Sequence, residues 1–335
     1  MAKERRGSRL KLRLGAGLMF IVIIITFITL SSLVIHISKL NTAKNNFDIP
    51  TVKQELDWFK KKASWMRYFP LIRDGEFWLK LNLGQTDSLE PELSRFQDDK
   101  HLFWLLQLKL QKNDIEGAKA DLKKIKSTAL THLAEALLAV AQSKYEKAQE
   151  IINKMDAQSQ KLSLNDQVLK DLTLSRTEMI LGNQTAAKQA LERAGKIAPN
   201  HPAVLRVNFD MALWSGDWKN AWEISRRLET LSWWSPDTLF LVQKGILALH
   251  IGENSAFEEV LEMLNELPGG SGYRSYLLGI RYLSRGDLVQ GKAYLEIALK
   301  GGIVGQVKFD AEQALNQVQK RQSAQPALNI VLTRP

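Results

Sequence analysis

The chain contains no cysteine. That absence excludes disulfides, thiolate nucleophiles, zinc ribbons and dithiol redox motifs together. Histidine is also scarce. His36, His101, His132, His201 and His250 are the five present, and none falls in an HExxH or HxH spacing, so no metal is expected. His201, in the run PNHP, and His250, before Gly252, read as turn and helix-end residues. The sequence holds no GxxxxGK[ST] loop, no GxGxxG turn and no GxSxG elbow, which removes the common phosphate, dinucleotide and hydrolase sites. Carboxylates cluster at Glu258, Glu259 and Glu262, but at helical spacing such a group reads as a solvated face, not as the acid pair of a glycosidase. No cofactor and no catalytic residue is expected. The chain is read as a non-enzyme.

The net charge of +10 over 335 residues suggests nucleic acid until it is located. Lys3, Arg5, Arg6, Arg9, Lys11 and Arg13 stand against Glu4 before residue 38, and a second excess of five lies in residues 39–73. Residues 74–335 carry 32 basic and 32 acidic groups. The basicity therefore flanks one segment and forms no stripe on a folded domain, so no nucleic-acid partner is expected.

The segment it flanks is Leu14 to Ile37, which contains no Asp, Glu, Lys or Arg. Its 24 residues rise about 36 Å as a helix, more than the ~30 Å of a hydrocarbon core. The run is longer than a cleaved signal's apolar region, and SSLVIHISKL after it offers no A-x-A site, so it reads as an uncleaved signal anchor. His36 reads as an interfacial residue at its outer edge. The basic residues before the run far outnumber Lys39 and Lys44 after it. By the positive-inside rule this places a single-pass protein in the cell membrane, its N-terminus cytoplasmic and its C-terminal part extracytoplasmic.

Residues 38–50 read as a linker or as an extension of the membrane helix stopped before Pro50, with Asp48 capping a new helix. Val52, Leu56, Phe59, Ala63 and Met66 recur at helical spacing. Lys60, Lys61 and Lys62 accompany Trp58, Trp65, Tyr68 and Phe69. Two readings stand: the aromatics pack against the next helices, or the helix rests on the anionic surface.

From about residue 100, apolar helical segments alternate with short turns. Asn113-Asp114, Ser143-Lys144, Gly182-Asn183, Gly216-Asp217, Gly252-Glu253 and Gly286-Asp287 mark these turns, at a period near 34. The unit at 274–302 carries Leu278-Gly279, Tyr282, Gly286, Gly291, Leu295 and Ala298; the unit at 171–199 carries Gly182, Ala187, Leu191, Ala194 and Pro199. Ala118 with Leu122, Ala148 with Ile152, and Ala221 with Leu228 keep part of the pattern, while Phe257 replaces the small residue in the unit at 239–268. The pattern resembles the tetratricopeptide repeat family over roughly residues 100–300. The resemblance implies an all-α chain, in which one transmembrane helix is followed by an α-α superhelical solenoid. The expected divisions are a basic N-terminus (1–13), the membrane helix (14–37), juxtamembrane helices (38–99), repeats (100–305), a capping helix (306–320) and a tail (321–335).

Solenoids of this kind bind protein or peptide partners along the face lined by the first helix of each hairpin. By register, the resemblance points to Arg176, Arg206, Asp210, Trp214 and Tyr276, with the two arginines suited to grip a carboxylate. The expected function is a membrane-anchored scaffold that organises an envelope assembly. Two alternatives stay open. Trp214, Trp218, Trp222, Trp233 and Trp234 pack between helices or form an aromatic platform for a peptide or glycan, the latter suiting a glycan-binding or cell-wall-associated enzyme. With reversed topology, the chain is a membrane-bound cytoplasmic regulator.

Overall fold

A computed structural model of the chain describes residues 2–86, 88–231 and 234–323. Among the described residues there are seventeen α-helices, one 3-10 turn and no strand. They fall into two compact units, 1–126 and 127–335.

The first unit begins with α1 (Ala2–Asn45), which runs without a break through both the apolar segment and most of the stretch 38–50. Ile23, Ile24, Ile25, Phe27, Ile28 and Leu30 are exposed, whereas Leu33, Leu40, Ala43 and Phe47 are buried. The polar stretch is therefore no free linker. Its inner face is core. Asp48 ends this run by accepting a bond from the Thr51 amide, and Pro50 sits in the first turn of α2 (Ile49–Lys62), where its missing N–H costs nothing. Helix α2 returns antiparallel to α1. Gly75 of α3 (Pro70–Asn82) lies against both Leu40 and Leu56; a Cβ there would meet Leu56 Cδ2 at 3.3 Å. His36 is not left to the headgroups. Its ring stacks on Trp58 at 3.6 Å and its Nδ1 lies 2.5 Å from Glu55 Oε2. The short α4 (Leu89–Leu93) precedes α5 (Asp99–Gln111), and α6 (Ile115–Leu122) completes the unit. Between α3 and α5, buried His101 bonds Asp98 at 2.6 Å and Asp74 at 3.2 Å. Burial alone would raise the Asp74 carboxyl, but the bonds from His101 and Lys100 outweigh it and hold its pKa well below the usual range.

The second unit is a row of five helical hairpins: α7 (Thr128–Ala141) with α8 (Tyr145–Ala157), α9 (Leu164–Ile180) with α10 (Gln184–Ile197), α11 (Pro202–Trp214) with α12 (Trp218–Glu229), α13 (Thr238–Ile251) with α14 (Asn254–Glu266), and α15 (Gly270–Ser284) with α16 (Leu288–Lys300). Helix α17 (Gly305–Ser323) follows, burying Val307, Ala311, Leu315 and Val318. The turn pattern has a backbone cause. Asn113, Ser143, Gly182, Gly216, Gly252 and Gly286 all have φ between 57° and 81°, the left-handed conformation that reverses a helix and that glycine adopts without strain. Where the next residue is Asp, it caps the second helix: Asp114, Asp217 and Asp287 accept from the amides of Gly117, Asn220 and Gln290.

Small residues set the closest approaches. A Cβ on Gly279 would meet Leu295 Cγ at 2.9 Å and the Gly291 carbonyl oxygen at 3.2 Å. Ala187 and Ala221 are fully buried. The α13/α14 hairpin carries buried Phe257 in the usual small position and makes its close approach at Gly245 instead, where a Cβ would lie 2.6 Å from Leu277 Cδ1.

Candidate functional site

A cavity of about 300 Å³ opens in the second unit. The first helix of each of four hairpins contributes to it. Helix α9 presents Arg176, Met179 and Ile180, and α11 presents Arg206, Asp210 and Leu213. Helix α13 presents Leu239, Val242, Gln243, Ile246 and Leu247, while α15 presents Tyr276. Gln306, Val307 and Asp310 of α17 close one end, and Trp218 lies at the start of α12. The residues on α9, α11 and α13 recur at steps of three and four, so each helix turns one stripe toward the cavity.

Four of the five residues singled out by register line this space: Arg176, Arg206, Asp210 and Tyr276. Trp214 does not. It lies eight residues past Arg206, and eight steps of 100° leave it about 80° off the stripe, whereas Leu213, seven residues on, stays within about 20° of it. Trp218 is the tryptophan that reaches the cavity. Tyr276 is only 2% exposed and forms part of the cavity floor.

The charges are held under tension. Arg206 donates through Nη2 to Gln243 Oε1 at 2.5 Å and lies 3.4 Å from Asp210 Oδ1. Its guanidinium also stacks over Phe240 at 5.1 Å and Phe209 at 5.5 Å. Yet Arg206 Nη1 and Asp210 Oδ1, both buried, make no hydrogen bond. Burial raises the pKa of Asp210 despite the pull of Arg206 and Arg176. Arg176 reaches solvent but is walled in by the cavity. Loss of surrounding water lowers its pKa, against Asp210 and with Arg206. At the far end burial raises Asp310, whose Oδ1 accepts from Gln306 at 2.9 Å. Apolar surface frames these groups: Ile180 is 49% exposed and Leu239 47%. The arrangement offers a greasy wall, a cationic pair with an unfilled donor, and a carboxylate at the end. Such a site suits a ligand with apolar side chains and one carboxylate.

The tryptophans are mostly structural. Trp218 tilts against His250 at 4.4 Å, so the His250 ring at the helix end packs on an aromatic. Trp222 packs on the buried core beneath Lys244, and Trp234 meets Phe240 edge-on at 4.8 Å. Trp233 and the apolar run of the C-terminal tail lie outside the described residues.

Gln243, Leu239, Ile246 and Asp310 were missed by register reasoning, which carried over matched repeat positions only. Extending the Arg206–Asp210–Leu213 stripe onto α13 and α17 finds them.

No family model matches the sequence, and no curated protein matches it. Solved structures do match. One is a tetratricopeptide repeat protein from Parabacteroides merdae, 13% identical, with a TM-score of 0.45, covering 73% of this chain and 96% of that one. Another is the APC/C hetero-tetramer Cut9–Hcn1, 12% identical, with a TM-score of 0.50 over 80% of this chain; the match spans 59% of that chain's length. The fold is that of a tetratricopeptide-like helical solenoid. The N-terminal apolar helix suits a membrane anchor or a signal sequence by length and composition.

Proposed function

We propose that this protein is a membrane-anchored scaffold whose repeat domain lies outside the cytoplasm and holds a protein or peptide partner in the α9–α17 cavity. The observation that carries the reading is the convergence there of two arginines, one with an unfilled buried donor, on an exposed apolar wall. A partner segment that sets a carboxylate on Arg176 and Arg206 and apolar side chains on Ile180 and Leu239 satisfies both. Binding, not catalysis, is the role such a solenoid serves.

The anchor reading draws support from packing. Leu33, Leu40 and Ala43 of α1, and Phe47 just past its end, are core residues of the first unit. Cleavage just after the apolar segment would remove buried Leu33 and the His36 ring that stacks on Trp58, at about 2–5 kcal/mol. The basic residues before the segment support the orientation. The natural consequence of an outward-facing, anchored scaffold is organisation of an envelope assembly.

The test is site-specific photocrosslinking in intact cells carrying the full chain. A photoreactive residue at Leu239 yields a discrete adduct, one at exposed Val289 of α16 yields none, and Arg176→Glu abolishes the Leu239 adduct. Equal labelling at both positions, or indifference to Arg176→Glu, refutes the cavity as the binding site. Protease added outside intact cells removes the repeat domain if the orientation is right; protection until lysis reverses it and favours the cytoplasmic regulator.

A further inference from the structure

A second surface lies in the first unit, at the opposite end of α2 from the Asp48 turn. Because α2 runs antiparallel to α1, its register gives a height. Leu56 lies with Leu40, and Trp58 stacks on His36. Four further residues carry the chain about 6 Å along the axis, so Lys62 comes level with Ser32, within the last turns of the exposed apolar surface that runs from Ile23 to Ile35. The 3-10 turn Ser64–Tyr68 follows at this level.

What the chain places there is not core. Trp65 is 60% exposed, Tyr68 70% and Phe69 50%. Met66 alone of the turn is buried and pins it to the unit. Trp65 and Phe69 meet edge-on at 5.9 Å, and Arg67 lies over the Tyr68 ring at 4.5 Å while donating to its hydroxyl. Lys60 to Arg73 contains five basic residues and no acidic one. Beside the turn opens a cavity of about 610 Å³ to which Lys60, Arg67, Arg73 and Arg95 contribute. Two carboxylates, Glu76 and Glu92, also line it against the four basic side chains, and Glu92 is engaged by Lys80 at 2.8 Å. Arg73 stacks on Phe96 at 4.2 Å and leaves its buried Nε without a hydrogen-bond partner.

Exposed aromatics with a one-signed basic cluster, next to an apolar helix surface, are the composition of a membrane–water interface. We propose that this face seats acidic phospholipid headgroups of the leaflet on the repeat-domain side, with Trp65, Tyr68 and Phe69 at headgroup depth and Lys60–Lys62, Arg67 and Arg73 on the phosphates. The inference rests on the anchor reading above, which supplies the height. It replaces a helix end hanging in water by a second attachment that fixes how the first unit sits on the bilayer.

The absence of cysteine makes a clean test available. Ser64→Cys gives the full chain one thiol, which is labelled with a fluorophore after reconstitution into nanodiscs. Lipids bearing a nitroxide headgroup report contact by quenching. Discs containing phosphatidylglycerol are expected to quench the label more strongly than discs of phosphatidylcholine alone. The acidic-lipid preference falls by about tenfold or more in the Lys60→Glu, Lys61→Glu, Lys62→Glu variant, and with added salt. Unchanged helicity shows that this variant is folded. Equal quenching in both discs, or an unaltered preference in the folded variant, overturns the proposal while leaving the anchor intact. A chain that enters neither disc overturns the anchor reading and the height argument with it.

Discussion

Replacing Gly279 by alanine tests how the repeats are held together. In isolation the change favours a helix, by about 1 kcal/mol, because glycine has the larger backbone entropy to lose. In α15 it also adds a methyl 2.9 Å from Leu295 Cγ and 3.2 Å from the Gly291 carbonyl oxygen. Leu295 is fully buried, so it has no free space to move into, and a carbonyl is part of a backbone that cannot rotate away. Overpacking of this kind costs about 1–3 kcal/mol, so the net effect is a loss of up to about 2 kcal/mol. Gly195 in α10 is the control. A Cβ there meets only Val204 Cγ1, at 4.0 Å, and Gly195→Ala is expected to gain up to about 1 kcal/mol from propensity alone. In a unit of this size each kcal/mol moves the midpoint by about 2–4 °C. Thermal unfolding of the full chain, followed by circular dichroism with hydrogen exchange across α15 and α16, separates the two variants in sign. If Gly279→Ala stabilises as much as Gly195→Ala, the two helices do not meet at this glycine and the packing argument is wrong.

Three further outcomes are expected. Ser143 adopts φ 57° at a turn where its counterparts are mostly glycine; Ser143→Gly should raise stability by about 1 kcal/mol, read by urea unfolding, and a loss would show that the serine side chain has a role the backbone argument omits. His201 caps α11 by accepting from the Ala203 amide, and burial lowers its pKa to about 4. A folded state that resists protonation binds fewer protons than the unfolded chain, so stability is full above pH ~6.5 and falls as pH drops toward 4, by at most about 3 kcal/mol less solvent screening; His201→Asn keeps a cap and should flatten this slope. Asp210, whose pKa is raised by burial, has the opposite sign for a carboxylate. Its charge weakens the fold at neutral pH, and its contribution improves as pH falls through the raised value toward ~3.8. Asp210→Asn should therefore leave the midpoint at pH 7 unchanged or higher while altering partner crosslinking at Leu239, and a clear loss of stability would make Asp210 structural.

The amino-acid order alone determined the features that are local. A helix reversal needs a residue tolerant of positive φ, which Gly supplies at four of the six turns, and a following Asp adds a cap at three, so the turns and the helical hairpins between them were legible one turn at a time. The apolar, uncharged run and the basic residues before it are likewise local, and they stand or fall without the rest of the chain. The stripe through Arg176, Arg206 and Asp210 was readable because a helical repeat brings the same position of successive first helices to one side. What needed the tertiary structure was every distance between helices. Register along α11 separates Leu213 from Trp214 once Arg206 is known to face the cavity, but it does not say that Arg206 faces it, or that Tyr276 lies beneath the surface. The tryptophan spacing is the same whether the rings are buried or displayed; contact with Phe240, His250 and the core decided that. In the first unit, nothing local distinguishes Trp58, which packs on His36, from Trp65, which faces out. That difference arises because α2 folds back along α1, and burial belongs to the pair of helices and to neither sequence alone.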